Sequence, residues 1–258
     1  MEAAAGQALA TADKTPALIV NTVGKGRAIL LNFQLLTDKP EDTSTARARR
    51  LLRFLYDAAG VRGAVSVASP KGEPLPLTET RVWQDGDALV FGLWRQMENA
   101  WFSPKGGTAA GKPVSARVTL PAARHLYDLR AHKYLGSVNR LDTQLRWGRA
   151  SFFLASPYKL GAPKIALSAQ TPARGQTLTA SLSLDIPAGT KERHSLWVEV
   201  SDPSGRRPLW GQQVVVLQGG KGQVQFHTAL NDPAGKWRVK ATELFSGQAA
   251  EASWAIAR

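Results

Sequence analysis

Hydrophobic and polar positions alternate most regularly in the last third of the chain. Leu178, Ala180, Leu182, Leu184 and Ile186 interleave with Thr179, Ser181, Ser183 and Asp185. A period of two sends one set to a buried face and the other to water, the mark of a half-buried strand. Leu196, Val198 and Val200 repeat the pattern. Val214 to Leu217, then Val224 and Phe226, then Trp237, Val239 and Ala241, then Trp254 and Ile256 follow. Turns are predicted at Pro187-Ala188-Gly189, Asp202-Pro203-Ser204-Gly205, Gly219-Gly220 and Asn231 to Gly235, where glycine, proline and Asx residues cluster. About seven strands at this spacing predict an immunoglobulin-like β-sandwich over residues 161–258.

Residues 62–160 predict a second sandwich with a less even pattern. Val65 and Val67 alternate with Ser66 and Ala68. Thr80 to Trp83 and Ala88 to Trp94 flank Gln84-Asp85-Gly86-Asp87. Asp-Gly between two apolar runs is a strong hairpin signal. Val114, Ala116, Val118 and Leu120 alternate, and Ser151 to Ala155 reads as a buried strand ended by Pro157.

Residues 1–61 differ again. Ala17 to Val20 and Ala28 to Phe33 are short apolar runs, with Gly24-Lys25-Gly26 between them to supply a turn. Asp42, Thr43 or Ser44 can cap a helix in which Leu51, Leu55 and Ala58 recur at i, i+4 and i+7. Arg47, Arg49, Arg50 and Arg53 fall mostly off that stripe, and Gly60 occupies the place of a C-terminal cap. A hairpin plus one helix is marginal alone, and strands apolar on both faces need cover. Self-association through residues 17–60, or a further domain, would supply it. The fold class predicted is mainly β: two sandwiches preceded by a small α/β hairpin–helix segment.

Composition narrows the chemistry. Hydrophobic residues make up 43% of the 258 and charged residues 21%, enough for packed cores. Cysteine is absent, which excludes a thiol nucleophile, a disulfide framework and thiolate metal sites. The net charge of +13 admits a polyanion partner by counterion release. The basic residues are spread over all three segments and accompany no nucleic-acid motif, so a solvated surface is the plainer reading. No apolar run is long enough to span a membrane. The opening MEAAAGQALATADK lacks the apolar core of a signal peptide.

No catalytic, metal or cofactor-binding constellation emerges. His125, His132, His194 and His227 stand in no nucleophile-elbow or His-x-x-x-His context. His125 and His132 flank Asp128, yet both read as strand-edge or turn residues. Glu79, Asp87 and Glu199 lie in or beside strands whose alternation points them at solvent. Asp85-Gly86-Asp87 and Asp202-Pro203-Ser204-Gly205 are explained by turn chemistry rather than calcium binding. Among the eight tryptophans, Trp83, Trp94, Trp197, Trp237 and Trp254 lie in alternating strands and read as core or half-buried. Trp101 and Phe102 precede a loop rich in Gly, Lys and Pro, and Trp210 follows Arg206-Arg207-Pro208. These three aromatics are the candidates for contact with a carbohydrate or a partner.

The run Pro16 to Val20, Gly24-Lys25-Gly26-Arg27, Ala28 to Phe33, and then an amphipathic helix ending in Ala59-Gly60-Val61 resembles the end of the glutamine-amidotransferase-like trimerisation domain of certain β-galactosidases. Leu126-Tyr127-Asp128-Leu129-Arg130 with Tyr134-Leu135-Gly136 is similar to a stretch in the C-terminal domains of such enzymes. The last segment looks like the immunoglobulin- or macroglobulin-type domains appended to large secreted bacterial proteins. The resemblance implies a non-catalytic accessory or assembly region of an exported glycoside-hydrolase-like protein, either as a piece or as a stand-alone relative. Those enzymes carry their catalytic glutamates on a (β/α)₈ barrel, which does not fit here, so no catalytic residue carries over to this chain.

Overall fold

The computed structural model describes residues 6–33, 43–75, 77–95 and 112–257. They form a mainly β protein with several antiparallel sheets and one helix. The chain divides between Gly63 and Ala64 into two compact units.

In the first unit, β1 (Gln7–Ala12), β2 (Thr15–Val23) and β3 (Gly26–Leu31) form a three-stranded antiparallel sheet. The hairpin of β2 and β3 turns at Gly24, whose φ of 57° suits glycine. β1 adds a strand beyond the hairpin expected from the sequence. Every residue of β1 is exposed, so no apolar alternation announced it. Helix α1 (Thr43–Ala58) ends as anticipated at Gly60, with φ of 71°. The Gly60 N–H bonds the Asp57 carbonyl at 3.0 Å and the Val61 N–H bonds the Tyr56 carbonyl at 2.8 Å. That double bond pattern is the Schellman motif.

The second unit holds both sandwiches. The first comprises β4 (Ser66–Ala68), β5 (Thr78–Asp85), β6 (Ala88–Arg95), β7 (Val114–Asp128), β8 (Lys133–Leu145) and β9 (Ser151–Ser156). The long hairpin of β7 and β8 holds it together. The pairing register breaks between Thr119 and Arg124. Before the break β7 lies between β4 and β8, and after it between β9 and β8. One bent hairpin thus serves both layers. Ala116, Val118, Leu120 and Leu145 from the first half close on Phe91, Leu93 and Phe153. Phe91 and Phe153 stack at 5.3 Å.

The other sandwich has seven strands. β10 (Pro163–Leu167), β11 (Thr177–Leu184) and β14 (Lys221–His227) make one sheet. β13 (Gln212–Leu217), β12 (His194–Ser201), β15 (Gly235–Glu243) and β16 (Ala249–Ile256) make the other. The fourth strand in sequence, β13, joins the sheet of β12, β15 and β16 rather than that of the first two strands. This differs from the constant-type immunoglobulin arrangement within the same sandwich architecture. The in-facing residues of the alternating runs form one core, with Trp237 and Trp254 stacked at 5.9 Å.

Of the tryptophans expected to be core or half-buried, Trp83 and Trp94 are half-buried. Trp83 is 53% and Trp94 40% exposed. β5 is the last strand of its sheet, so Trp83 has a neighbouring strand on one side alone. Trp94 takes the outward phase because Phe91 and Leu93 are buried.

Candidate functional site

The most elaborate polar arrangement lies where the two sandwiches meet. Along β12 the in-facing row runs Val200, Val198, Leu196 and ends at His194. Along β15 it runs Trp237, Val239, Ala241 and ends at Glu243. Both rows change from apolar to ionisable at the end of the core that faces the first sandwich. His194 is 3% and Glu243 0% exposed. Tyr158, from the segment after β9, reaches across so that its hydroxyl lies 2.7 Å from His194 Nε2. The other ring nitrogen, Nδ1, is buried, makes no hydrogen bond, and sits 4.0 Å from Glu243 Oε1.

Two further contacts fasten the same seam. Glu192 accepts the Asp87 backbone N–H at 2.7 Å. Asp85 accepts the Arg193 backbone N–H at 2.8 Å and pairs with its guanidinium at 3.3 Å. Beneath them, Tyr127 accepts the Leu160 N–H at 2.7 Å. Tyr127, Leu154, Leu160 and Ala88 form an apolar cluster against which Phe245 of the second sandwich packs. A groove of about 510 Å³ runs along the seam, lined among others by Gly86, Asp87, Tyr158, Thr190 and Glu192.

Burial governs the electrostatics. It holds the His194 imidazole below its ordinary pKa, against the opposing pull of Glu243, Glu192 and Asp85. Burial, reinforced by the charge of Glu192, pushes the Tyr158 phenol up to about 12. A hydroxyl, an imidazole and a carboxylate in a row have the order of a nucleophilic triad. Here the hydroxyl is held un-ionised, and the imidazole–carboxylate gap exceeds hydrogen-bond length. The carboxylate is occupied as well: Glu243 accepts the Phe245 N–H at 3.2 Å and the Ser246 N–H at 2.6 Å. The row joins two domains and caps the β15–β16 turn.

His194 appeared in the sequence as an isolated histidine, and Glu243 and Glu192 went unnoticed. The available signal was phase: His194 continues the in-facing register of Leu196 and Val198, and Glu243 that of Val239 and Ala241. Glu199, expected to face solvent, is largely covered, its side chain paired with Arg207 at 3.1 Å. His125 lies in β7 with Nδ1 2.8 Å from the Tyr134 hydroxyl, and His132 is a turn residue with φ of 48°. Asp202 does turn chemistry: its carboxylate accepts the backbone N–H groups of Ser204 and Arg206, each at 2.9 Å. Among the described residues no group of three His, Asp or Glu side chains is placed to hold a metal ion.

Of the three aromatic candidates, Trp101 and Phe102 lie outside the described residues. Trp210 belongs to a single 3₁₀ turn, Leu209–Gly211, and is half-exposed. Its ring lies 6.1 Å from Trp237 and 6.3 Å from Phe226, so the core backs one part of it while the rest meets solvent.

No family model and no curated protein matches the chain. Solved structures match parts of it at low identity. A β-glycosidase from Bacteroides vulgatus is 11% identical, with a TM-score of 0.29 over 70% of this chain and 25% of its own. A putative β-galactosidase from Bacteroides fragilis is 11% identical, with a TM-score of 0.24 over 68% of this chain and 33% of its own. The α-2-macroglobulin of Escherichia coli is 12% identical, with a TM-score of 0.28 over 67% of this chain and 19% of its own. The chain spans a third or less of each of these proteins.

Proposed function

We propose that this chain is a non-catalytic accessory and assembly region of a glycoside-hydrolase-like protein. The observation that carries the reading is the use made of its buried acids and histidine. Glu192, His194, Asp202 and Glu243 are withdrawn from water, and each fixes a turn or the seam between the sandwiches. A catalytic carboxylate or histidine must instead reach a reacting atom. On this reading the two sandwiches present surface rather than reacting groups. Incubation with a panel of nitrophenyl glycosides is expected to release no nitrophenol above buffer. Turnover abolished by Glu243→Gln or Glu192→Gln would overturn the reading.

The assembly role falls to the first unit, whose strands leave Leu9, Val23 and Leu30 exposed, with Phe33 exposed just beyond β3. The partner proposed is a second copy of the chain. Sedimentation velocity is expected to show association that Leu30→Asp weakens. A monomer at all concentrations would exclude it.

A second reading, carbohydrate binding, is supported by the half-exposed ring of Trp210 backed by Trp237 and Phe226, since a sugar face can stack on such a ring. Titration with neutral polysaccharides is expected to quench tryptophan emission, and Trp210→Ala to remove the quench. An unchanged quench in the variant excludes Trp210 as the platform.

A further inference from the structure

A small recess on the first sandwich carries an excess of positive charge. About 280 Å³ in volume, it is lined by Asp128, Arg130, Gln144, Arg146, Arg149 and Ser151, together with Ala131. The three arginines come from two separate stretches. Arg130 sits in the turn between β7 and β8, and Arg146 and Arg149 in the loop between β8 and β9. The β7–β8 bend and the short β8–β9 loop bring them to one opening.

Arginines without an ion pair occur elsewhere in the same unit, Arg124 and Arg238 among them, and five others are paired; what is particular to the recess is that three of the first kind line one opening. Arg81 pairs with Glu79, Arg117 with Asp142, Arg193 with Asp85, Arg206 with Asp202 and Arg207 with Glu199. Around the recess, no carboxylate among the described residues lies within ion-pair distance of Arg130, Arg146 or Arg149. Asp128 lines the recess, but its Oδ1 is taken by the backbone N–H groups of Arg130 and Ala131, at 2.9 and 3.0 Å. The one ring contact of the trio is Arg130 over Phe152 at 5.9 Å, which positions a guanidinium without neutralising it. The Asp128 charge offsets one of the three guanidinium charges at this concavity; the remaining positive excess is what a bound anion relieves.

We propose that this recess is an oxyanion site that takes a sulfate or phosphate monoester group borne on a larger ligand. The chemistry follows from the residues. A planar guanidinium offers paired N–H donors that match two oxygens of such a group, and several around one centre raise both strength and selectivity. The Ser151 hydroxyl and the Gln144 amide add neutral donors at the rim, although Gln144 Nε2 already donates to Ser115 at 2.9 Å. The volume lies at the lower edge of ligand pockets, enough for a single charged substituent and too small for a whole saccharide or nucleotide. The remainder of the ligand must lie outside. This site is independent of the accessory and assembly reading and of Trp210.

The test uses the full chain and three probes: inorganic sulfate, inorganic phosphate and a sulfated heparin hexasaccharide, titrated by calorimetry. The triple variant Arg130→Ala, Arg146→Ala, Arg149→Ala is compared with Lys221→Ala, Lys236→Ala, Arg238→Ala, which removes three exposed charges from the other sandwich. All six positions are at the surface, and near-ultraviolet circular dichroism verifies the fold of both variants. The recess variant is expected to lose at least tenfold affinity for the hexasaccharide and its response to the small anions. The control is expected to lose no more than threefold. Preference for sulfate over phosphate, or the reverse, identifies the source of the group. Equal losses in the two variants would overturn the site and leave a diffuse basic field. Binding of duplex DNA that responds equally to both variants, with no response to either small anion, would overturn it too.

Discussion

Glu192 lies against the turn at Gly86 so closely that neither position is free to change. Its carboxylate accepts the Asp87 backbone N–H at 2.7 Å across a sequence separation of 105 residues. A Cβ on Gly86 would come within 2.9 Å of the Glu192 carboxyl carbon. The Asp85-Gly86 pair that makes a hairpin is also the surface on which the second sandwich docks.

That fit predicts a non-additive cycle. Glu192→Ala leaves a seam N–H without its acceptor and is expected to cost about 1–3 kcal/mol. Gly86→Ala forces an alanine to a φ of +60°, expected to cost about 1–2 kcal/mol, and adds the contact with Glu192. Because Glu192→Ala removes that contact, the double variant should be less destabilised than the sum of the two. Urea denaturation of the four proteins measures the coupling; strict additivity would show that the seam contact is loose in solution.

His194 makes the seam sensitive to acid. Burial lowers its folded pKa below the ordinary 6.5, although Glu243, Glu192 and Asp85 oppose the shift. As pH falls through about 6.5, the unfolded chain takes up a proton that the folded chain resists. Stability from this group is therefore full above that pH and declines as pH falls toward the folded pKa. The urea midpoint is expected to drop between about pH 7.5 and 5.5. His194→Gln, whose amide can still meet the Tyr158 hydroxyl, should flatten that slope. An unchanged slope in the variant would assign the acid sensitivity elsewhere.

Tyr158 should be visible by its reluctance to ionise. Its phenol is pushed up to about 12 by burial and the nearby Glu192 charge. In an alkaline titration followed by tyrosinate absorbance, the contribution that disappears in Tyr158→Phe should lie well above that of an exposed tyrosine. Ionisation at the ordinary value of about 10 would mean the hydroxyl reaches water.

Asp202 should govern acid resistance of the loop before the 3₁₀ turn. Hydrogen bonds from Ser204 lead in holding its carboxyl below the usual 3.8, and backbone and side-chain bonds from Arg206 add to the effect. Its contribution is present above that value and is lost as pH falls through the folded pKa. Wild type is expected to exceed Asp202→Asn in thermal midpoint at neutral pH, with the gap closing in acid. A gap that persists unchanged at low pH would rule out the charge as its origin.

The amino-acid sequence alone determined the strands whose two faces differ most in environment. Leu178 to Leu184 and Trp237 to Ala241 alternate because one row meets a packed core and the other meets water. The helix end at Gly60 and the turns at Gly24, Asp85-Gly86 and Asp202 to Gly205 were equally legible, since their geometry depends on one or two residues. Where no face is buried, pattern fails, so the fully exposed β1 was invisible. On the end strand β5 it left core and half-buried open for Trp83, and the edge position decided for half-buried. The seam was decided by tertiary structure alone. Tyr158, His194 and Glu243 come from three segments, and Asp87 and Glu192 from opposite sandwiches. Each looks ordinary among its neighbours along the chain. Their shared role arises only because two cores meet where the in-facing rows of β12 and β15 turn polar, and a buried polar group requires a partner that only folding brings within reach.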